Sequence, residues 1–293
     1  MRREWLLAEA PASRMQARLG QAYLRWLSFR ENPLALAGLG LVLLLVAIAV
    51  LAPWLSPHSP LAQDLSRRLL PPGAGNLLGT DELGRDILSR ILYGARTTLV
   101  IVALVVILVA PVGLAVGTVA GYAGGLVDGA LMRVTDVFLA FPRLILALAF
   151  VSAIGPGLVN AIVAIACTAW PPYARIARAE TLTIKNSEFI AAARLSGASP
   201  LRIIWSHVVP LCTSSLVVRV TLDMAGIILT AAGLGFLGLG AQPPTPEWGT
   251  MLAKARDFLR TAPHISIFPG VTIMLTVLGL NLLGDGLRDV LEP

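Results

Sequence analysis

Long uncharged apolar runs alternate with short polar segments along almost the whole chain. A helix that crosses the hydrocarbon core of a bilayer needs about 20 apolar residues, and runs of roughly this length recur here. They predict six membrane spans, at about 34–55, 97–122, 130–154, 158–173, 208–232 and 265–283. The pattern therefore predicts an all-α, polytopic membrane protein.

The longest polar interruption in the second half lies at 187–210, between the fourth and fifth predicted spans. Its charges would be unsatisfied in lipid, so it is expected at a membrane surface. Ser187 predicts the N-cap of one short helix, and Gly197 predicts its left-handed C-terminal cap. Ser199 and Pro200 predict the cap and first turn of a second helix that continues into the fifth span.

Three regions follow from the same pattern. Residues 1–32 form a basic amphipathic segment suited to the membrane interface, and 33–96 combine the first span with a polar loop. Residues 97–293 form the transmembrane core that contains the 187–210 loop.

Apolar positions at 87, 91, 92 and 95 share one helical face and predict a surface helix. Glycine and proline at 233–246 predict a loop, followed by a short helix near 251–259.

Composition supports the membrane assignment, since only 14% of the residues are charged and the mean hydropathy is +0.77. The net charge of +6 is not a nucleic-acid signature, because the basic residues form no aromatic-interleaved stripe. With six spans, thirteen Lys and Arg residues lie on the side of the termini and eight on the other. This bias predicts that both termini and the 175–207 loop are cytoplasmic.

Four charged residues fall inside predicted spans and are candidate functional sites: Asp136, Arg143, Arg219 and Asp223. Arg219 and Asp223 are four residues apart, which also permits a purely structural pair within one helix. Asp136 and Arg143 are seven apart, on one face of a continuous helix, and either can lie near an interface and reach water.

The sequence contains no motif for chemistry of its own. It has no His-Glu-x-x-His, no Gly-x-Ser-x-Gly and no Gly-Lys dipeptide, so it lacks the loop that cradles nucleotide phosphates. Its three histidines are not at metal-ligand spacing, so neither a catalytic nor a metal site is predicted. If ATP drives this protein, a partner chain binds it.

Several stretches resemble the inner-membrane permease subunits of bacterial ABC importers for dipeptides, oligopeptides and nickel, and in particular the second permease of each pair. They are LGTDELGRDILSRILYGAR (78–96), GYAGGLVDGALMRVTDVFLAFP (121–142), the 187–210 loop, GFLGLGAQPPTPEWGTML (235–252) and FPGVTIMLTVLGLNLLGDGLRDVLEP (268–293). The resemblance implies the six-helix transmembrane domain of a type I importer in the bacterial inner membrane. It also implies a heterodimer with a homologous permease, two cytoplasmic ATPase subunits that bind ATP and magnesium, and an extracytoplasmic solute-binding protein.

By the same resemblance, the loop corresponds to the family's EAA motif, whose short helix docks on the ATPase. Its expected coupling residues are Glu188, Ala191, Ala192, Ala193, Arg194 and Gly197. The family's usual Glu falls at Ala191, and Glu188 lies about one helical turn away. Transport would proceed by alternating access, with di- or oligopeptides as the expected substrates.

Other substrates and other classes stay open. Nickel, a nickel chelate or glutathione is the alternative within the family. A secondary transporter acting alone would need a coupling-ion site, for which Asp136, Asp223 and Asp285 are few and scattered. An intramembrane enzyme would need a paired catalytic group, which the spans do not supply.

Overall fold

The computed structural model describes residues 5, 13–73 and 75–291. Within these ranges the regular secondary structure is helical, with no β-strand, which confirms the all-α prediction. The predicted N-terminal segment 1–32 is described only in part, and residues 292–293 of the last matching stretch lie outside the described residues.

Twelve α-helices follow one another along the described residues. They are Arg14–Glu31 (α1), Pro33–Leu55 (α2), Ile87–Ala123 (α3), Gly125–Leu139 (α4), Arg143–Ile154 (α5), Leu158–Ala169 (α6), Pro171–Lys185 (α7), Glu188–Leu195 (α8), Pro200–Ile203 (α9), Val209–Phe236 (α10), Trp248–Ala255 (α11) and His264–Leu291 (α12). A π-helical turn, Ile204–Val208, joins α9 to α10, and short 3-10 turns occupy Leu65–Arg67 and Arg256–Phe258.

Four helical segments of the described chain are long and apolar enough to cross a bilayer: α2, α3, the continuous segment from α9 to the end of α10, and α12. The prediction of a single straight span at 130–154 is wrong. The chain there forms α4 and α5, which meet at an angle of 91° and would count as a fifth span if taken together. Pro142 explains the break, because the residue before a proline is disfavoured in helical conformation.

The fourth predicted span, 158–173, is also divided. Helix α6 has 12 residues, about 18 Å of helix, which is less than the roughly 30 Å hydrocarbon core. Helix α7 begins at Pro171, directly after Trp170. The count of six spans therefore stays a prediction.

The predicted surface helix at 87–95 is wrong as a separate, exposed element. These residues form the first turns of the 37-residue helix α3, and Ile87, Ile91, Leu92 and Ala95 are all buried. The apolar face packs within the main hydrophobic core rather than on a membrane surface.

Trp248 connects this part of α3 to the segment that follows α10. Its side chain is 1% exposed, and its indole N–H donates to the carbonyl of Ile91 at 3.1 Å. Gly94 provides the space, because a methyl group there would overlap the indole.

Replacing Trp248 with alanine is expected to destabilise the protein by about 3–5 kcal/mol, because it removes a fully buried aromatic side chain and leaves a cavity. Thermal unfolding in detergent measures the loss. Trp54→Ala is the matched control, since Trp54 is 77% exposed in the isolated chain. Equal unfolding temperatures for the two variants would contradict the assigned role of Trp248.

Helices α3 and α7 pack closely through three glycines at four-residue spacing. Gly113, Gly117 and Gly121 lie on the face of α3 that touches α7. A methyl group at Gly117 would overlap the backbone carbonyl of Ala174. Small residues at this spacing let helix backbones approach in a membrane, and the contact fixes α7 against the longest helix.

Candidate functional site

The segment Glu188–Val208 forms two short helices joined by a tight turn, as predicted. Gly197 has a φ of +80° and donates its N–H to the carbonyl of Arg194 at 2.9 Å, which closes α8. Ser199 Oγ accepts from the N–H of Arg202 at 3.4 Å at the start of α9. Ser187 precedes α8 as predicted, but its hydroxyl donates to the carbonyl of Ile184 at 2.6 Å and does not cap the helix.

One face of this segment is exposed. Of the predicted coupling residues, Glu188, Ala191, Ala192, Arg194 and Gly197 are exposed and Ala193 is half-buried. Large apolar side chains accompany them: Phe189, Leu195, Leu201 and Trp205 are between 48% and 91% exposed. Exposed apolar groups beside a charged face are typical of a protein-docking surface.

The opposite face is attached to the membrane helices. Ile190 of α8, Ile203 of α9, Val208 of the π-helical turn and Cys212 of α10 form a separate buried apolar cluster. Leu114 and Tyr122 of α3 pack against this cluster. Displacement of the segment would therefore be transmitted directly to α3 and α10.

Two basic side chains strengthen the attachment at the end of α3. The guanidinium of Arg194 lies 5.5 Å from the centre of the Tyr122 ring, within cation–π range. Lys185 Nζ donates to the carbonyls of Gly121 and Tyr122 at 2.9 and 3.2 Å. A lysine at the C-terminus of a helix satisfies carbonyls that have no helical partner.

The four charged residues of the predicted spans divide into two separate sites, because the bend between α4 and α5 separates Asp136 from Arg143. Asp136 pairs with Arg175 at 2.5 Å, and both side chains are more than half exposed. The expectation that Asp136 and Arg143 lie on one continuous helical face is therefore wrong.

Arg143, Arg219 and Asp223 form the second site together with Tyr173. Asp223 is 93% buried and accepts from Arg143 Nη1 at 2.7 Å and from the Tyr173 hydroxyl at 3.1 Å. Arg219 Nη2 lies 3.7 Å from the same carboxylate, as the four-residue spacing allows. The sequence indicated only this last, longer contact and missed the partners 80 and 50 residues away.

A third group of charges holds the segment before α3. Asp81 accepts from Arg85 Nε at 2.6 Å and lies 3.4 Å from Arg90 Nε, and all three residues are buried. Asp86 caps α3 by accepting from the N–H of Ser89 at 2.8 Å. Removing one partner of a buried ion pair leaves the other charge uncompensated and is strongly destabilising. This network therefore stabilises the loop at the start of α3.

The same loop meets the start of α11 around a cavity of about 70 Å³, lined by Asp81, Arg90 and Lys254 among others. Glu247 caps α11 by accepting from the N–H groups of Gly249 and Thr250 at 2.7 and 2.8 Å. Burial raises the pKa of Glu247, although these two hydrogen bonds act in the opposite direction. The loop before α3 and the loop before α11 thus lie side by side at this end of the helices.

Among the described residues, no group of three or more His, Cys, Asp or Glu side chains could hold a metal ion. The candidate residues form an exposed helical segment and several ion pairs in a helical membrane protein. This arrangement matches the permease architecture of type I ABC importers: the chain aligns with a structure of the inward-facing MetNI methionine ABC transporter at a TM-score of 0.55. The alignment covers 70% of this chain and 97% of that one at 21% identity, so it defines the fold.

The chain belongs to the family of binding-protein-dependent transport system inner membrane components, which matches residues 113–293. Residues 21–72 match the N-terminal transmembrane domain of oligopeptide transport permease C. The chain is 48% identical to the di/tripeptide transport system permease protein DppC of Pseudomonas aeruginosa, over 92% of this chain and 90% of that protein. It is 43% identical to the glutathione transport system permease protein GsiD of Pectobacterium atrosepticum, over 100% and 97% respectively. It is a transport permease and not a catalytic enzyme.

Proposed function

We propose that this chain forms half of the transmembrane pathway of an ATP-driven importer for di- or oligopeptides. The observation that carries the proposal is the two-faced segment Glu188–Val208, which presents exposed residues on one side and is anchored to α3 and α10 on the other. The named substrates of the similar permeases, di- and tripeptides and glutathione, support a peptide as the cargo.

The partners are a second, homologous permease, two ATPase subunits and an extracytoplasmic solute-binding protein. ATP and magnesium bind to the ATPase subunits, since the sequence of this chain has no Gly-Lys dipeptide to place a lysine on a phosphate. The membrane is the bacterial inner membrane, with both termini and the Glu188–Val208 segment in the cytoplasm, as the distribution of basic residues predicts.

Coupling would begin where the ATPase contacts α8. Ala191 occupies the position at which the family usually has a glutamate, so docking here depends on shape and on apolar contacts with Leu195 and Leu201. Glu188 is exposed one turn away and supplies the acidic contact. Closure of the ATPase dimer on ATP would move α8 and, through the buried cluster at Ile190, the ends of α3 and α10.

Uptake by the reconstituted complex tests the proposal. Proteoliposomes containing this chain, its partner permease and the ATPase subunits are expected to accumulate Ala-Ala only with ATP and peptide-loaded binding protein. Complexes that lack the ATPase subunits are the matched control and should show no uptake. Accumulation driven by an ion gradient without those subunits would contradict the proposal and favour a secondary transporter, and uptake of nickel in place of Ala-Ala would change the substrate class.

A further inference from the structure

The cluster formed by Arg143, Arg219, Asp223 and Tyr173 carries a net positive charge. Two guanidinium groups face a single carboxylate, and the tyrosine hydroxyl is neutral. Glu180 lies on α7 about two turns after Tyr173, and its carboxylate accepts from Ser215 Oγ at 2.5 Å. One positive charge in the cluster is therefore left without a counter-charge among the described residues.

The cluster lies at the middle of a membrane-spanning helix. Arg219 and Asp223 belong to the central turns of the 28-residue α10, and Arg143 is the first residue of α5, directly after the bend. Arg143 and Arg219 are 25% and 32% exposed in this chain. A charge at this depth is costly in lipid, so these side chains face either a protein partner or a water-filled pathway.

Arg143 keeps its best carboxylate-binding edge unused. Its Nη1 contacts Asp223, whereas its Nε and Nη2 have no hydrogen-bond partner among the described residues. Nε and Nη2 form the side of a guanidinium that holds a carboxylate with two parallel hydrogen bonds. Arg219 Nε also lacks a partner in the described part of the chain.

Another arginine of this chain uses the same Nε and Nη2 edge to bind a carboxylate. Arg178 binds Asp128 through Nε and Nη2, at 2.5 and 2.6 Å. The Nε and Nη2 atoms of Arg143 are buried although its side chain as a whole is 25% exposed, so the side chain must rotate to offer this edge to a ligand.

We propose that Arg143 and Arg219 bind the C-terminal carboxylate of the transported peptide as it passes through the membrane. The surplus positive charge attracts the ligand, and Asp223 keeps Arg143 beside Arg219 until the carboxylate binds. This inference rests on the proposed function, because it assigns a binding subsite for the same cargo. A carboxylate bound in this way replaces the missing counter-charge and satisfies donors that are otherwise unpaired.

Competition binding tests the inference. The assembled complex of both permeases and both ATPase subunits is purified without binding protein, and tritiated Ala-Ala is displaced by unlabelled Ala-Ala or by Ala-Ala amide. The free acid is expected to compete at least about tenfold better than the amide, which corresponds to about 1.4 kcal/mol. Equal competition, or no displaceable binding at millimolar peptide, would overturn the inference.

Variants separate ligand binding from a structural ion pair. Arg219→Gln is expected to abolish the preference for the acid, whereas Asp223→Asn should preserve or increase it, because removing the carboxylate raises the positive charge. Arg133→Gln is the matched control, since Arg133 is exposed on α4. Equal loss of binding in Arg219→Gln and Asp223→Asn would identify a purely structural pair. If a variant fails to assemble, the acid-to-amide comparison in the native complex decides.

ATP-driven uptake, measured in parallel, keeps the two proposals apart. If the native complex imports Ala-Ala but does not distinguish acid from amide, only the carboxylate subsite is wrong. If the complex imports no peptide with loaded binding protein, the proposed function itself fails.

Discussion

Replacing Gly197 with proline is expected to reduce ATP-driven peptide uptake by at least about tenfold. Proline fixes φ near −65°, whereas Gly197 requires +80°, and it removes the N–H that closes α8 on Arg194. Ser196 would also become a residue before proline while it holds a near-helical φ of −76° and ψ of 6°. Together these conflicts cost about 3 kcal/mol or more within the Glu188–Val208 segment.

The loss should be specific to coupling, because a side chain at Gly197 meets no neighbouring atom within 4 Å. Copurification of the ATPase subunits and Ala-Ala uptake in proteoliposomes are the measurements. Gly197→Ala is the matched control: it strains the left-handed backbone by only about 1–2 kcal/mol and should retain most of the uptake. If the Gly197→Pro variant took up Ala-Ala at the native rate, the segment would have no coupling role.

Replacing Gly117 with valine is expected to destabilise the transmembrane core by about 3 kcal/mol. Its Cβ would overlap the carbonyl of Ala174 and crowd the side chain of Ala177, so the backbones of α3 and α7 would have to separate. Tyr122 near the end of α3 packs against the buried cluster of the Glu188–Val208 segment, and Lys185 of α7 donates to the carbonyl of Gly121 beside it. Thermal unfolding of the purified complex and its yield of assembled protein measure the effect.

Gly129→Val provides the comparison for this experiment. Gly129 also lies inside a helix, α4, but no neighbouring atom lies within 4 Å of a side chain added there. The substitution should leave the unfolding temperature nearly unchanged. Similar losses in both variants would mean that the change in helix propensity, and not the contact between α3 and α7, determines the result.

The sequence predicts the local features of this fold well. The apolar runs match α2, α10 and α12 closely, because span length is set by the bilayer. Gly197 and the Ser199–Pro200 pair predict the turn between α8 and α9, since these residue types act through their own backbone and their nearest neighbours.

Two errors arose where hydropathy was given more weight than stereochemistry. Pro142 lies inside the predicted span at 130–154, and the apolar residues on both sides concealed the bend that proline requires. The apolar face at 87–95 predicted a surface helix, yet Asp81 and Glu82 offset the charges of Arg85 and Arg90 in the interior. The four-residue spacing of Gly113, Gly117 and Gly121 was visible in the sequence and would have indicated the close contact of α3 with α7.

The contacts of Asp223 with Arg143 and Tyr173 could not be predicted from one sequence. The partners lie 80 and 50 residues away, and they meet only because the chain bends at Pro142 and restarts at Pro171. Periodicity places residues on a face of their own helix, but it does not indicate which other helix that face will meet. The sequence identifies Arg143 and Asp223 only as separate candidates, and their grouping required the tertiary structure.

The π-helical turn Ile204–Val208 sets the direction in which α8 and α9 lie relative to α10. A turn of this kind holds one residue more than an α-helical turn, and each residue of an α-helix advances the chain by about 100° around the axis. Deleting one residue there would restore an α-helical turn and leave α8 near its present bearing around the axis of α10, because the π-helical turn already absorbs the extra residue. The π-helical turn therefore lets the chain between α9 and α10 hold one residue more than a continuous α-helix without turning α8 away from the buried cluster at Ile190.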